Sequence, residues 1–237
     1  MKHIGVLIPD TNTIVEQELI KMITEDMSIL TKVSFHFSRI KTNTNYAKDG
    51  VTFLREVYNK KEEAFKLLKF IPLEVIGFFC TSAIILQKVD NKIVPETINN
   101  IPCIEPLYSL MTACKIIKPK KVLLLSPYNQ KMASFLENSF KEKNIPIYRN
   151  IFLNLNIDID KYDLEQTKKQ IITNLESNTD LIVISCTNFR TLEIISFFES
   201  KFGIPVISSN QSLFWAICKK VNIKCDKLKK YGTIFKF

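Results

Sequence analysis

The sequence predicts an α/β protein of two pseudo-twofold-related lobes, each a four-stranded parallel sheet flanked by helices, with an active-site cleft between them. Three observations predict it. Short apolar runs alternate with amphipathic stretches at helical spacing, the order of motifs repeats in the two halves, and the 237-residue, 46% hydrophobic chain is long enough to fold without disulfide or metal staples.

Taken in order, strands are expected at 3–8, 33–40, 75–79 and 102–104, and then at 122–125, 146–152, 181–185 and 205–207, each a short apolar run. Helical segments such as 14–27, 51–70, 130–143, 164–177 and 189–201 lie between them, with no low-complexity linker. The first lobe is expected to span residues 1–112 and the second 113–210, with 211–237 packing back on the first.

The repeat is visible in the loops. "LIPDTNT" and "LLSPYNQ" each follow a first strand, "FFCTS" and "ISCTN" a third, and "NIPCIEP" and "GIPVISS" each hold a fourth. The offsets are 118 residues from Pro9 to Pro127, 106 from Cys80 to Cys186 and 103 from Pro102 to Pro205, as one duplicated unit with altered loops would give. Ligands of open parallel sheets bind beyond the carboxyl ends of the strands, so both cysteine loops and both proline loops are expected to face one cleft.

Composition narrows the chemistry. The six cysteines form no CxxC pair and none sits with histidines at zinc-finger spacing, so no metal site is expected. The two histidines, His3 and His36, both fall inside expected strands, which argues against a hydrolase that relies on a histidine base. Five glycines and no GxGxxG argue against a dinucleotide fold, and no cofactor is expected. The net charge of +9 comes from lysines dispersed among glutamates on helix faces, the pattern of solvated surfaces, and nucleic acid is not an expected partner. The opening "MKHIGVLIPD" is too short an apolar run for a signal peptide or membrane span, so the expected location is the cytoplasm.

What carries chemistry is the pair "VIGFFCTSAII" and "LIVISCTNFRT", two apolar strands that each end on a cysteine and a threonine. A thiol at a helix N-terminus is expected to have a lowered pKa, because free N–H groups stabilise the thiolate. Thr81, Ser82, Thr187 and Asn188 add donors in the same turns, and Thr11, Asn12 and Thr13 after the first strand can hold a carboxylate. Two opposed thiols can act on one carbon from its two faces without a cofactor, which is the chemistry of a racemase, isomerase or decarboxylase.

At these residues the chain resembles the aspartate/glutamate/hydantoin racemase superfamily, and within it the maleate cis-trans isomerase and arylmalonate decarboxylase branch. The likeness rests on "IGVLIPDTNTIVEQEL", "CTS", "CTNFRT", "IPVISSNQSLFWA" and "KKYGTIF", and spans nearly the whole chain. It implies that Cys80 is the nucleophile, that Cys186 gives and retrieves a proton on the other side, and that Asn12 and Tyr128 hold a substrate carboxylate. Asn210 is a further candidate for the cleft. By the same analogy a homodimer is expected. Two positions depart from the branch. Asp160 falls nearest the place where an asparagine often meets the second carboxylate, and Ala83 follows "CTS" where a glycine is common. Arg190, four residues past Cys186, is expected to make a structural ion pair.

The resulting expectation is a cofactor-independent isomerase of a small dicarboxylate. An acidic amino-acid racemase or malonate-type decarboxylase keeps the same site, and a non-catalytic protein binding small carboxylates or nucleic acid is the alternative from another class.

Overall fold

The computed structural model describes residues 1–155 and 157–237. The first half contains β1 (Lys2–Pro9), α1 (Val15–Glu25), β2 (Val33–Ile40), α2 (Gly50–Asn59), α3 (Lys61–Lys66), β3 (Leu73–Phe78), α4 (Thr81–Val89), β4 (Thr97–Ile98), β5 (Ile101–Ile104) and α5 (Pro106–Ile117). The second contains β6 (Val122–Ser126), α6 (Gln130–Lys141), β7 (Ile147–Phe152), α7 (Leu164–Asn174), β8 (Leu181–Ile184), α8 (Leu192–Phe202), β9 (Val206–Ser208) and α9 (Ser209–Lys220). Strands such as β6 (VLLLS) and β8 (LIVI) are buried at every residue, because helices cover both faces of a parallel sheet.

The strands form two sheets, ordered β2-β1-β3-β5-β4 and β7-β6-β8-β9. The first four positions match between the halves, as a duplicated unit requires. In each sheet the chain starts at an inner strand (β1 or β6), pairs one neighbour, then crosses to the other side. The loops after β1 and β3, and after β6 and β8, therefore part at a topological switch point, where a crevice opens at the strand ends.

Two expectations are corrected. The first sheet has a fifth strand, β4, which runs antiparallel to β5 through a two-residue turn at Asn99 and Asn100 with φ of 50° and 66°. That is the geometry of a tight hairpin, and two strand residues are too few to show as an apolar run. The single helix expected over 51–70 is broken at Lys60 into α2 and α3. The pieces pack on different partners, α2 on α4 and α3 on β1 and β2, and one straight helix could not reach both.

Helix α5 runs unbroken through residue 112, and the change of sheet comes after it. Helix α9 leaves β9 to lie against α5 and β3. A capping box starts it, with the Ser208 hydroxyl accepting from the Gln211 N–H and the Gln211 side chain accepting from the Ser208 N–H. Among the described residues, no helix is long and apolar enough to cross a membrane.

Candidate active site

The four switch-point loops converge. Pro9 ends β1 and Thr11 and Asn12 follow it, Cys80 and Ser82 follow β3, Tyr128 follows β6, and Cys186, Thr187 and Asn188 follow β8; with Tyr46, Phe53, Leu54 and Ile159 they line one cavity of about 60 Å³. At roughly 10–15 Å³ per water-sized sphere, this is room for a compact acid and not for a nucleotide. A wider depression of about 410 Å³ adjoins it and shares Tyr46, Leu54, Ser82 and Tyr128. Larger concavities elsewhere, such as that around Trp215 and Phe237, do not join loops of the two sheets.

The two thiols are held differently. Cys80 is the N-cap residue of α4 in extended backbone, so its sulfur faces the Ala83 N–H, and it lies 3.9 Å from the Ser82 hydroxyl. The helix after Cys186, expected over 189–201, begins only at Leu192, behind Thr191 as N-cap, so no helix N-terminus meets this thiol. Instead Cys186 has φ of +135°, a conformation that costs a non-glycine residue on the order of 1–3 kcal/mol and persists only where neighbours impose it. Its N–H donates to Ser209 Oγ at 3.0 Å, and the Asn188 N–H and the Tyr128 hydroxyl approach its sulfur.

The lowered thiol pKa expected from helix N-termini is overturned. Burial pushes Cys80 up to about 11 and Cys186 up to about 12, outweighing the N–H groups beside them. The Cys80 thiol also contributes to the rise at Cys186, so the two sulfurs stand within each other's field. At neutral pH both are protonated in the free protein, and iodoacetamide is expected to label them more slowly than an unfolded peptide thiol. The same burial acts on stability. A folded pKa above the unfolded value of 9 gives a contribution that is complete below pH 9 and lost as pH rises through about 11 and 12. Thermal melts should therefore fall in temperature above pH 9, and a midpoint flat to pH 11 would contradict the burial of these thiols.

Of the residues expected at the site, Thr11, Asn12, Ser82, Tyr128, Thr187 and Asn188 lie on the cavity wall with the two cysteines. Asn12 is divided in use: its Oδ1 caps α1 by accepting from the Ile14 and Val15 N–H groups at 3.0 Å each, while Nδ2 donates to Thr187 Oγ1 at 3.2 Å. Thr187 Oγ1 in turn donates to the Phe79 carbonyl at 3.0 Å, tying the second cysteine loop to the first. Three others are not on that wall. Thr13 is exposed and bridges Asn188 Oδ1 and Asp160 Oδ2. Thr81 is buried and donates to Ser209 Oγ at 3.0 Å. Asn210 is fully buried, with its amide hydrogens on Glu18 and the Thr187 carbonyl. They brace the loops and do not line the cavity.

Asp160 does not line the cavity; Thr13 holds its carboxylate at 2.8 Å, and the neighbouring Ile159 faces inward. The ion pair expected of Arg190 is also corrected. Its guanidinium donates to the Tyr162 carbonyl at 2.8 Å, and the nearby acid, Glu193, pairs with Lys21. His3 and His36 stack on each other within the sheet, Nδ1 to Nε2 at 2.9 Å, away from the cavity.

Sequence reasoning missed Tyr46, Phe53, Leu54 and Ile159. Tyr46 sits in "NTNYAKDG", a turn-rich loop at the carboxyl end of β2, and that position at a strand end was the available signal. The Glu56 carboxylate pins the loop by accepting from the Asn43 and Thr44 N–H groups at 2.7 and 3.1 Å. Burial, with the two thiols nearby, pushes the Tyr46 phenol up to about 12, so it can only act as a neutral donor or acceptor. Among the described residues no group of three or more His, Cys, Asp or Glu side chains lies together as a metal site would need.

A profile of the arylmalonate decarboxylase family matches residues 79–235, both cysteine loops included. The chain belongs to that family. Maleate isomerases are also similar to it. The maleate isomerase of Geobacillus stearothermophilus is 25% identical over 240 residues, covering 94% of each chain. The crystal structure of a maleate isomerase from Pseudomonas putida superposes with a TM-score of 0.82 at 18% identity, over 99% of this chain and 98% of that one. The maleate cis-trans isomerase of Nocardia farcinica, as a cysteine-to-serine variant with a covalently bound succinylcysteine intermediate, gives a TM-score of 0.79 at 17% identity, over 99% and 98%. These structures share the two-sheet fold of this arylmalonate decarboxylase family member.

Proposed function

We propose that the protein is a cofactor-independent cis-trans isomerase of a small unsaturated dicarboxylate, with maleate as the type substrate. The observation that carries this reading is the presence of two thiols, one from each lobe, on the wall of a single small cavity. A thiol at Cys80 suits covalent addition, and the succinylcysteine of the Nocardia farcinica relative is an adduct of that kind.

A carboxylate drawn in beside the buried thiols becomes more basic for the same reason the thiols become less acidic, so it is a fitting acceptor for the Cys80 proton. The Cys80 thiolate, at the N-terminus of α4, adds to one alkene carbon, and the Cys186 thiol donates its proton to the other. The double bond is now single and the carbons rotate. The Cys186 thiolate then removes the proton it gave, the carbon–sulfur bond breaks to leave the trans alkene, and Cys80 recovers its proton from the carboxyl group. In this reading Asn12, Ser82 and Asn188, all on the cavity wall, hold the carboxylates, and the Tyr128 phenol, pushed well above its ordinary pKa by burial, stays a neutral hydrogen-bond donor.

Purified protein incubated with maleate should produce fumarate, followed by proton NMR, and no turnover at any pH from neutral to mildly alkaline would refute the assignment. The sister reactions differ in one readout each: solvent deuterium entering the α-carbon of aspartate or glutamate marks a racemase, and carbon dioxide released from a substituted malonate marks a decarboxylase.

A further inference from the structure

The Cys186 turn is tied to a buried carboxylate that no step of the reaction uses. Glu18, on α1 and only 3% exposed, reaches across to the second lobe. Its Oε1 accepts from the Thr191 and Leu192 N–H groups at 2.5 and 3.1 Å, the free amides at the start of α8. Its Oε2 accepts from Asn210 Nδ2 at 2.8 Å. The Asn210 amide gives its other hydrogen to the carbonyl of Thr187, the residue after Cys186, at 3.0 Å. The preceding residue, Ser209, accepts the Cys186 N–H.

Capping of α8 does not account for all of this arrangement. The Thr191 hydroxyl lies 2.9 and 3.1 Å from Oε1 and Oε2, and beyond that contact Oε2 accepts from Asn210, whose own Oδ1 is buried with no partner among the described residues. A buried amide with an orphaned oxygen would gain by turning over, unless an acceptor on its nitrogen side holds it. Glu18 Oε2 at 2.8 Å and the Thr187 carbonyl at 3.0 Å are both such acceptors, and the carboxylate is the charged and shorter one. Turned over, the amide would set Oδ1 against the Thr187 carbonyl, and two acceptors repel.

We propose that Glu18 is a positioning residue for Cys186: through Asn210 it keeps an N–H on the Thr187 carbonyl and so locks the positive-φ turn that carries the Cys186 thiol to the cavity. The inference rests on the isomerase reading only for its effect on turnover; its effect on the Cys186 turn stands apart from any substrate.

Glu18→Gln tests it. The glutamine keeps an oxygen for the α8 amides but turns an NH2 toward Asn210, donor against donor. Asn210→Ala removes the relay and leaves Glu18 on α8, so it reads the same link if the glutamine variant fails to fold. Iodoacetamide labelling is measured at each cysteine by peptide mass spectrometry, with Cys80, held by α4 of the other lobe, as internal reference. Each variant should raise the ratio of Cys186 to Cys80 labelling by about fivefold or more as the turn opens. On maleate, kcat should fall about 10- to 100-fold with KM little changed, the effect of a displaced reacting group. The double variant should be no worse than the more affected single variant, since both cut one link. A folded Glu18→Gln protein with the parental labelling ratio overturns the proposal, as do effects that add in the double variant. If the parent itself does not turn over maleate, the labelling ratio alone decides, and the isomerase reading fails separately.

Discussion

Replacing Cys80 by alanine is expected to lower kcat/KM on maleate by about 10³-fold or more, close to 4 kcal/mol of transition-state stabilisation. The size follows from the site. Cys80 is the thiol at a helix N-terminus, and among the other described cavity residues only Cys186, which comes from the other sheet, is a comparable nucleophile. Asn12, Ser82 and Asn188 remain, so substrate should still bind and KM should change far less than kcat. Cys186→Ser is the informative partner. Serine is a much poorer proton donor and base, so addition at Cys80 is expected to outlast elimination, and the intact mass should increase by one substrate molecule. A Cys80→Ala protein retaining a tenth of the parental rate would remove covalent catalysis from this site.

The largest expected effect on stability is at Gly232. Its φ of +130° is a conformation that side chains rarely adopt, and a Cβ there would overlap Gln211 Nε2 and lie 3.3 Å from Ile195 Cγ2. Gln211 cannot yield cheaply. It caps α9 through Ser208, and its Nε2 donates to the Tyr231 and Val206 carbonyls in a fully buried setting. Backbone strain of about 1–3 kcal/mol and one or two lost buried hydrogen bonds near 1 kcal/mol each put Gly232→Ala at about 3 kcal/mol. For a chain of this size that is roughly 6–12 °C off the melting temperature. Gly203→Ala is the control. It also has positive φ, +66°, but nothing lies within 4 Å of the added carbon, so only about 1 kcal/mol is expected. Equal shifts for the two would mean that the contact with Gln211 is not felt.

Much of the candidate site was legible because its signals are local. A buried strand that ends on Cys-Thr can be read from about ten residues, and two such strands in repeated order imply two sheets and one crevice. The fold needed nothing else: in β6 and β8 every residue is buried, and an unbroken apolar run is what that burial requires. The strand that escaped, β4, has two residues, and the helix read too long, 51–70, was divided by what its two halves pack against.

The sequence by itself determined the sheets, their order of repetition and the two cysteines that end β3 and β8 in equivalent places. Only the tertiary structure decided how those cysteines behave. Their raised pKa values come from the dielectric of the packed cavity, which outweighs the helix N-terminus visible in the sequence. The positive φ of Cys186 is imposed by Ser209 and Asn210, and through Asn210 by Glu18, which are 23, 24 and 168 residues away along the chain. Tyr46 and Ile159 reach the cavity wall from loops whose sequences show polarity but not direction. Dielectric, strain and orientation belong to contacts between distant segments, and no local stretch of residues contains them.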